Sequence, residues 1–255
     1  MVWIAQLTDI HLDGSDEAYA RFARVVGWLE TIQPSLGAIL ITGDLVEDGA
    51  GSQEDYGLIR DALQPLAPTI AVPGNADNAD AFDAVFGWDR NPGSPAGGGS
   101  WLVPVADGVW ILPLDSSDCE ENDWTLDPEP LAEAAEELET LPDDALVLVA
   151  LHHPPIAVGH TLMDQMSLRD VTGLEALVRN ERRILGVVVG HIHSTVFTTF
   201  AGKPLIVGPA VVSGIRLDAE LTAPAAELTT LEQAPMVTMH LIEGRRLSSW
   251  VRVIV

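Results

Sequence analysis

Asp9-Ile10-His11, Asp44, Asn75, His152-His153 and His191-Ile192-His193 are the residues whose types and spacing could chelate a cation. Each group follows an apolar, strand-like run: IAQL before Asp9, ILIT before Asp44, IAV before Asn75, LVLVAL before His152 and VVV before His191. In layered α/β folds, sites lie beyond the carboxyl ends of the strands, so groups scattered in sequence can converge in space. Asp9 and His11, at i and i+2, would point to the same side of an extended segment, which suits chelation. Each group also has a plainer reading. Gly43-Asp44 reads as a turn, Asp9 as a helix N-cap beside a loop histidine, and His152-His153-Pro154-Pro155 as a kinked strand exit. Gly190-His191-Ile192-His193 resists the plain reading, because two imidazoles at i, i+2 after an apolar strand rarely serve packing. The conjunction, in this order, points to a metal site.

The elements that must hold these groups alternate between strand and helix. Runs 2–7, 37–42 and 69–72 are strand-like, with 37–42 apolar throughout, as in a sheet covered on both faces. Residues 16–33 show helical spacing through Tyr19, Phe22, Val25, Val26 and Leu29, and 53–64 also look helical. This βαβαβ order favours an α/β layered core. Further strands are expected at 101–105, 109–115, 145–151 and 184–190, with helices at 128–140 and 170–180. Residues 195–208 read as a hairpin turning at Ala201-Gly202-Lys203, and 235–255 as a C-terminal hairpin turning at Glu243-Gly244. The Gly/Pro-rich stretch 91–100 is the best candidate for a mobile loop. One domain over 1–255, with two stacked sheets and flanking helices, fits this order, the C-terminal hairpin packing on it or extending it.

Charge and composition exclude several classes. The 255 residues carry 38 acids against 13 bases, a net charge of -25, with Lys203 the only lysine. Such a surface repels polyanions, so no long nucleic acid is expected as a partner. Cys119 is alone, which removes internal disulfides and thiolate clusters, and its acidic surroundings suggest an exposed loop. The N-terminus lacks the basic start and cleavage site of a signal peptide, and no apolar run is long enough to span a bilayer. These features point to a cytoplasmic protein with no membrane partner.

The motifs resemble those of the calcineurin-like metallophosphoesterases, whose pattern is D-x-H, G-D, G-N-H-[DE], H and G-H-x-H. Here they stand as Asp9-Ile10-His11, Gly43-Asp44, Gly74-Asn75-Ala76-Asp77, His152 and Gly190-His191-Ile192-His193. Residues 152–170 are similar, more narrowly, to the bacterial branch of class III cyclic-nucleotide phosphodiesterases and glycerophosphodiesterases. The resemblance implies a four-layer α/β/β/α sandwich of two mixed β-sheets flanked by helices. It implies two divalent metal ions, one held by Asp9, His11 and His193, the other by Asn75, His152 and His191, with Asp44 between them. His152 rather than His153 is the ligand by motif register. Such donors suit Mn, Fe, Co or Zn. The implied reaction is hydrolysis of a small phosphodiester by a hydroxide bridging the ions, with Asp44, Asn75, the residue at 76 and Asp77 in the catalytic set. A phosphomonoesterase acting on nucleotides shares that core, and a homodimer is plausible by analogy with the branch.

Ala76 departs from the pattern. In the family a histidine there contacts substrate phosphate and assists the leaving group; it is not a main metal ligand. Alanine should spare metal binding while removing a donor whose loss slows such reactions by roughly 10²–10⁴-fold. Asp77, which in the family orients that histidine, would then orient nothing. Three explanations stay open: an introduced substitution, an enzyme whose substrates leave easily or whose acid comes from His153 or His160, and a homologue that binds metal or nucleotide with little turnover. Met163 and Asp164 are further candidates for the pocket wall, Arg169 and Arg216 could reach a substrate, and His240 is expected to be structural. Trp3, Trp28, Trp88, Trp101, Trp110, Trp124 and Trp250 show no stacking-platform spacing.

Overall fold

The computed structural model describes residues 1–32, 36–47, 52–87, 102–117, 125–126, 128–221 and 227–255. Cys119, Trp88, Trp101, Trp124 and the 91–100 stretch lie outside the described residues. The first half of the chain runs β1 (Val2–Leu7), α1 (Asp16–Leu29), β2 (Ala38–Thr42), α2 (Gln53–Leu63), β3 (Thr69–Val72) and α3 (Ala79–Phe86). The second runs β4 (Val103–Ala106), β5 (Val109–Pro113), α4 (Pro128–Thr140), β6 (Leu146–Ala150), α5 (Thr172–Asn180), β7 (Ile184–Val189), β8 (Val196–Phe200) and β9 (Lys203–Val207). Two short strands follow, β10 (Gly214–Ile215) and β11 (Thr230–Leu231), then β12 (Met236–Glu243) and β13 (Arg246–Val253).

Two mixed sheets organise these strands. The first has the order β13-β12-β1-β2-β3, the second β4-β5-β6-β7-β9-β8. Strands β1, β2 and β3 are mutually parallel, as are β5, β6, β7 and β9. The hairpin β12–β13 extends the first sheet, because β12 pairs antiparallel with β1.

Period-two alternation in the apolar strands explains the stacking. In β2, Ile39 and Ile41 face the α1–α3 side, while Ala38 and Leu40 face the opposite sheet. In β6, Val147 and Val149 pack toward α4 and α5, while Leu146, Leu148 and Ala150 point at the first sheet. Ile4, Leu40, Ile111, Leu148, Val188 and Ile242 fill the seam between the sheets. Three apolar seams thus separate four layers, α/β/β/α. Each fully buried Ile or Leu contributes about 1.5–3 kcal/mol.

Helix ends follow local chemistry. Ser15 caps α1 and Ser52 forms a capping box with Asp55 on α2. Helix α1 stops at Leu29, four residues before the expected end, as Thr31 and Ile32 turn back to Trp28 and Leu29 carbonyls in i to i−3 bonds. Helix α3 is too short and too uniformly apolar to show a period; Asn78 caps it and left-handed Gly87 closes it. Among the described residues no helix is long and apolar enough to cross a membrane.

Candidate metal centre

The seven expected ligands come from five strand exits. Asp9 and His11 follow β1, Asp44 follows β2 and Asn75 follows β3, all on the first sheet. His152 follows β6, and His191 and His193 follow β7, on the second. The exits are tied by backbone bonds: Asp9 N donates to Gly43 O at 3.0 Å, and Gly190 N to His152 O at 3.0 Å.

Local backbone departs from the extended segment expected at Asp9-x-His11. Asp9, His11, Asp44, His191 and His193 all have positive φ, between 48° and 73°. Among the described residues Ala201 is the only other non-glycine with positive φ. Left-handed conformations at such residues cost about 1–3 kcal/mol each and persist where the surroundings over-determine them. Sharp curls, not strand pleating, therefore aim these side chains. Gly43 and Gly74 allow the close approach that follows. A Cβ on Gly43 would sit on the His152 ring, and one on Gly74 would sit on the Asp44 carboxylate.

The side chains converge. The donor atoms of Asp9, His11, Asp44 and His193 lie within 4.8 Å of one another, as do those of His152, His153 and His191. Asp44 Oδ2 stands between the two groups, 3.4 Å from His11 Nε2 and 3.3 Å from His152 Nε2. Its Oδ1 accepts from Ala76 N at 2.8 Å. Asn75 Oδ1 is 3.2 Å from His152 Nε2, and His193 Nε2 is 3.4 Å from Asp9 Oδ1.

The donor set fits divalent ions. His11 Nε2 faces His193 Nε2 at 3.2 Å, and His152 Nε2 faces His191 Nδ1 at 3.2 Å. Ring nitrogens aimed at each other need a proton or a cation between them. His191 Nε2 is buried with no hydrogen-bond partner. Two rings are hydrogen-bonded through their other nitrogen, His152 Nδ1 to Thr42 O at 2.8 Å and His193 Nδ1 to Ser213 O at 3.0 Å, and His11 Nδ1 pairs with the Glu47 carboxylate at 2.7 Å. Metal-binding imidazoles show that arrangement, one nitrogen tied and the other presented.

Electrostatics among the protein groups bind the cluster. Burial opposes charge on His11, but Glu47, Asp44 and Asp9 outweigh it and raise the ring to about 9. Burial likewise opposes charge on His152, which Asp44 and Asp9 raise to about 9. Burial, then the charge on His152, pushes His191 down to about 3. Asp44 is held well below the carboxylate range by His152, His11 and His191 in spite of its burial.

Some expectations are corrected. Asp77 does not stand idle beside Ala76. Its carboxylate accepts from Leu45 N (2.9 Å), Val46 N (3.2 Å), Gly74 N (2.9 Å) and the Tyr56 hydroxyl (3.1 Å), clamping the exits of β2 and β3 together. Burial and the nearby Asp44 charge push it up to about 7. Met163 is buried in the core beneath the second sheet, and Asp164 accepts from Val158 N and Gly159 N within its own loop. His160 meets the Arg216 carbonyl at 3.2 Å and the backbone of Leu162 and Met163, which gives it a loop-holding role. Arg169 is exposed. His240 is fully buried between Ser249 and Gln6, in keeping with a structural role. Glu47 and Ser116 escaped the sequence reading. Glu47 lies three residues past Asp44. Ser116 follows β5, the same strand-exit position that singled out the others, and a hydroxyl is simply not a metal-seeking group.

A profile of the calcineurin-like phosphoesterases matches residues 2–195. The chain belongs to that family. This phosphoesterase is 32% identical over 214 residues to a probable cyclic nucleotide phosphodiesterase of Synechococcus, covering 79% of each chain. It is 33% identical over 201 residues to a 3′,5′-cyclic-nucleotide phosphodiesterase of Nostoc, covering 74% of this chain and 71% of the other. A probable glycerophosphodiester phosphodiesterase of Arcobacter nitrofigilis is 28% identical over 218 residues, covering 83% and 76%. These relatives fall in the branch that the sequence resembles. The phosphoesterase also shares its fold with a purple acid phosphatase from yellow lupin seeds, at a TM-score of 0.69 and 10% identity over 99% of this chain and 51% of the other. A dimetal phosphatase of Danio rerio gives 0.57 and 13% identity over 100% and 99%.

Proposed function

We propose that this phosphoesterase is a metal-dependent phosphodiesterase acting on small diesters, cyclic nucleotides or glycerophosphodiesters. The observation that supports it most is the convergence of six strand-exit side chains on the seventh, Asp44. Asp9, His11 and His193 would hold one divalent ion and Asn75, His152 and His191 the other, with Asp44 shared. Mixed imidazole, carboxylate and amide donors favour Mn, Fe, Co or Zn. Bound there, such ions supply Lewis-acid polarisation of a phosphoryl oxygen and a nucleophile at neutral pH. Asp9 and Asp44 would touch the ions and offset half of their charge, with Glu47 and Asp77 one layer farther out, so the ions themselves are what would attract a phosphoryl oxygen within a chain of net charge -25. A diester, with a single negative charge, meets less opposition from the outer field than a triphosphate does. Names of the relatives support the same substrate class.

The residues around Asp44 set what this chain does with a diester. Ala76 N–H and the Asp77 clamp fix the loop. The Ala76 side chain can donate no proton, so the leaving group departs without help from that position. This favours diesters with good leaving groups, and it favours a second reading in which the chain binds metal and nucleotide with little turnover. With Mn²⁺ added, bis(p-nitrophenyl) phosphate is expected to be hydrolysed in preference to p-nitrophenyl phosphate. A strong monoester preference would instead indicate a phosphomonoesterase, and tight nucleotide binding with no turnover of either would indicate the binding homologue.

A further inference from the structure

Helix α1 turns Ala18, Phe22, Val25 and Leu29 into the core, and Arg21 shares that face, 8% exposed. Its Nε donates to Val211 O at 3.1 Å and its Nη2 to Gln233 O at 2.6 Å. Among the described residues no carboxylate pairs with it, in a chain that carries 38 acids. A buried charge without a counter-ion is costly, and an apolar side chain of similar length would fill the same space. What arginine adds is a planar fork that reaches two carbonyls at once. Those carbonyls lead to the first half of the centre. Val211 N donates to Thr8 O at 3.0 Å and Val212 N to Asp9 O at 3.1 Å. Ser213 O meets His193 Nδ1 at 3.0 Å. A carbonyl only accepts, so this contact puts a proton on Nδ1, and the nitrogen left to meet a cation is Nε2. That atom faces Asp9 Oδ1 and His11 Nε2. On the other side, Gly214 pairs with Leu231, and a Cβ on Gly214 would lie 2.8 Å from Gln233 Oε1.

We propose that Arg21 is a positioning residue for the first half of the centre: by clipping Val211 and Gln233 to α1, it holds segment 211–213 against Asp9 and fixes the His193 ring with Nε2 offered to the ion. His193 stands four residues beyond the end of β7, and its side chain is 15% exposed, so strand pairing alone does not hold it. Charge on Asp9 and Asp44 draws the cation, and the clip sets the direction of the ring before any ion arrives, which lowers the ordering cost of binding. Arg21 touches none of the seven ligand side chains and acts only through the segment.

This inference rests on the metal-dependent reading of the site, and its test separates the two. Zn²⁺ alone is titrated into the protein and followed by long-range ¹H–¹⁵N correlation spectra of the histidine rings. His11 and His193 report the first half, His152 and His191 the second. The wild-type protein should show His193 protonated at Nδ1 and saturable Zn²⁺ shifts in both sets. Arg21→Met, which keeps the stem and removes the donors, should weaken binding at the first set by about tenfold, the lower end of what losing a ligand's own hydrogen-bond partner costs, and leave the second unchanged. Arg21→Lys, whose donors sit at one point rather than across a fork, should show a smaller loss in the same set, and it supplies the test should the methionine variant fail to fold. No Zn²⁺ shift at His11 and His193 in the wild-type protein would remove the reading of that half as a metal site, and the inference with it. Wild-type shifts in both sets, with variants that weaken both alike or neither, would overturn the inference alone.

Discussion

The two halves of the centre are built differently. Around Asp9, His11 and His193 the cluster has a carboxylate of its own, and its rings reach the surface, with side chains 11% and 15% exposed for His11 and His193. Around Asn75, His152 and His191 the rings are buried and the third donor is a neutral amide. The first half would therefore hold a cation chiefly by charge, the second chiefly by geometry. The first should fill at lower metal concentration, and the second should depend on the groups that brace it. Those groups run deep: Thr42 O holds His152, Thr42 Oγ1 accepts from Gln6, Gln6 meets His240, and His240 meets Ser249 on β13.

Asp44 is the test with the largest expected effect. Asp44→Ala should release both ions and drop diester turnover beyond about 10⁴-fold, since parts that act as a unit fail together; metal content and turnover measured side by side check it. Retention of one tightly held ion would show that the halves are independent. Ala76→His should raise turnover on diesters with poor leaving groups by about 10²–10⁴-fold while metal content stays constant. A flat response across leaving groups would remove the role assigned to that position. Asn75→Asp adds the charge that the second half lacks, and calorimetric titration should find its ion bound at least about tenfold more tightly.

The smallest expected effect concerns the bracing. Among the described residues His240 hydrogen-bonds the uncharged Gln6 and Ser249, and burial lowers its pKa to about 4. The unfolded chain takes up this proton near 6.5, while the folded chain resists until about 4. Stability from this group is therefore complete above pH 6.5 and falls as pH drops to 4, by about 3 kcal/mol in total. His240→Gln, which keeps hydrogen bonds to both neighbours, should flatten that limb in denaturant titrations of chelated protein at pH 7 and pH 4.5. An unchanged slope would place the acid sensitivity in the centre itself.

Much of this was legible in the residues because buried parallel strands are written as unbroken apolar runs. Strands β1 and β3 and helix α4 begin and end where the pattern places them, and the polar residue ending each run marks an exit. What stayed hidden depends on contacts made across the fold. Nothing local says that Asp9 or His191 is left-handed, that Asp77 will accept four hydrogen bonds from three separate segments, or that Ser116 will sit under two histidines 36 and 37 residues away. Met163 and Asp164, singled out by their place after the HHPP motif, are instead taken up by the core and by their own loop.

Strand β1 lies between β2 and β12, so it completes its pairing only with a strand synthesised far later in the chain. Asp9 and His11, which follow it directly, are thus synthesised early and seated late. Such long-range closure slows folding, and the seven ligands, spread from Asp9 to His193, would meet only once both sheets have closed. Metal acquisition in this protein would then be a finishing step of its biogenesis.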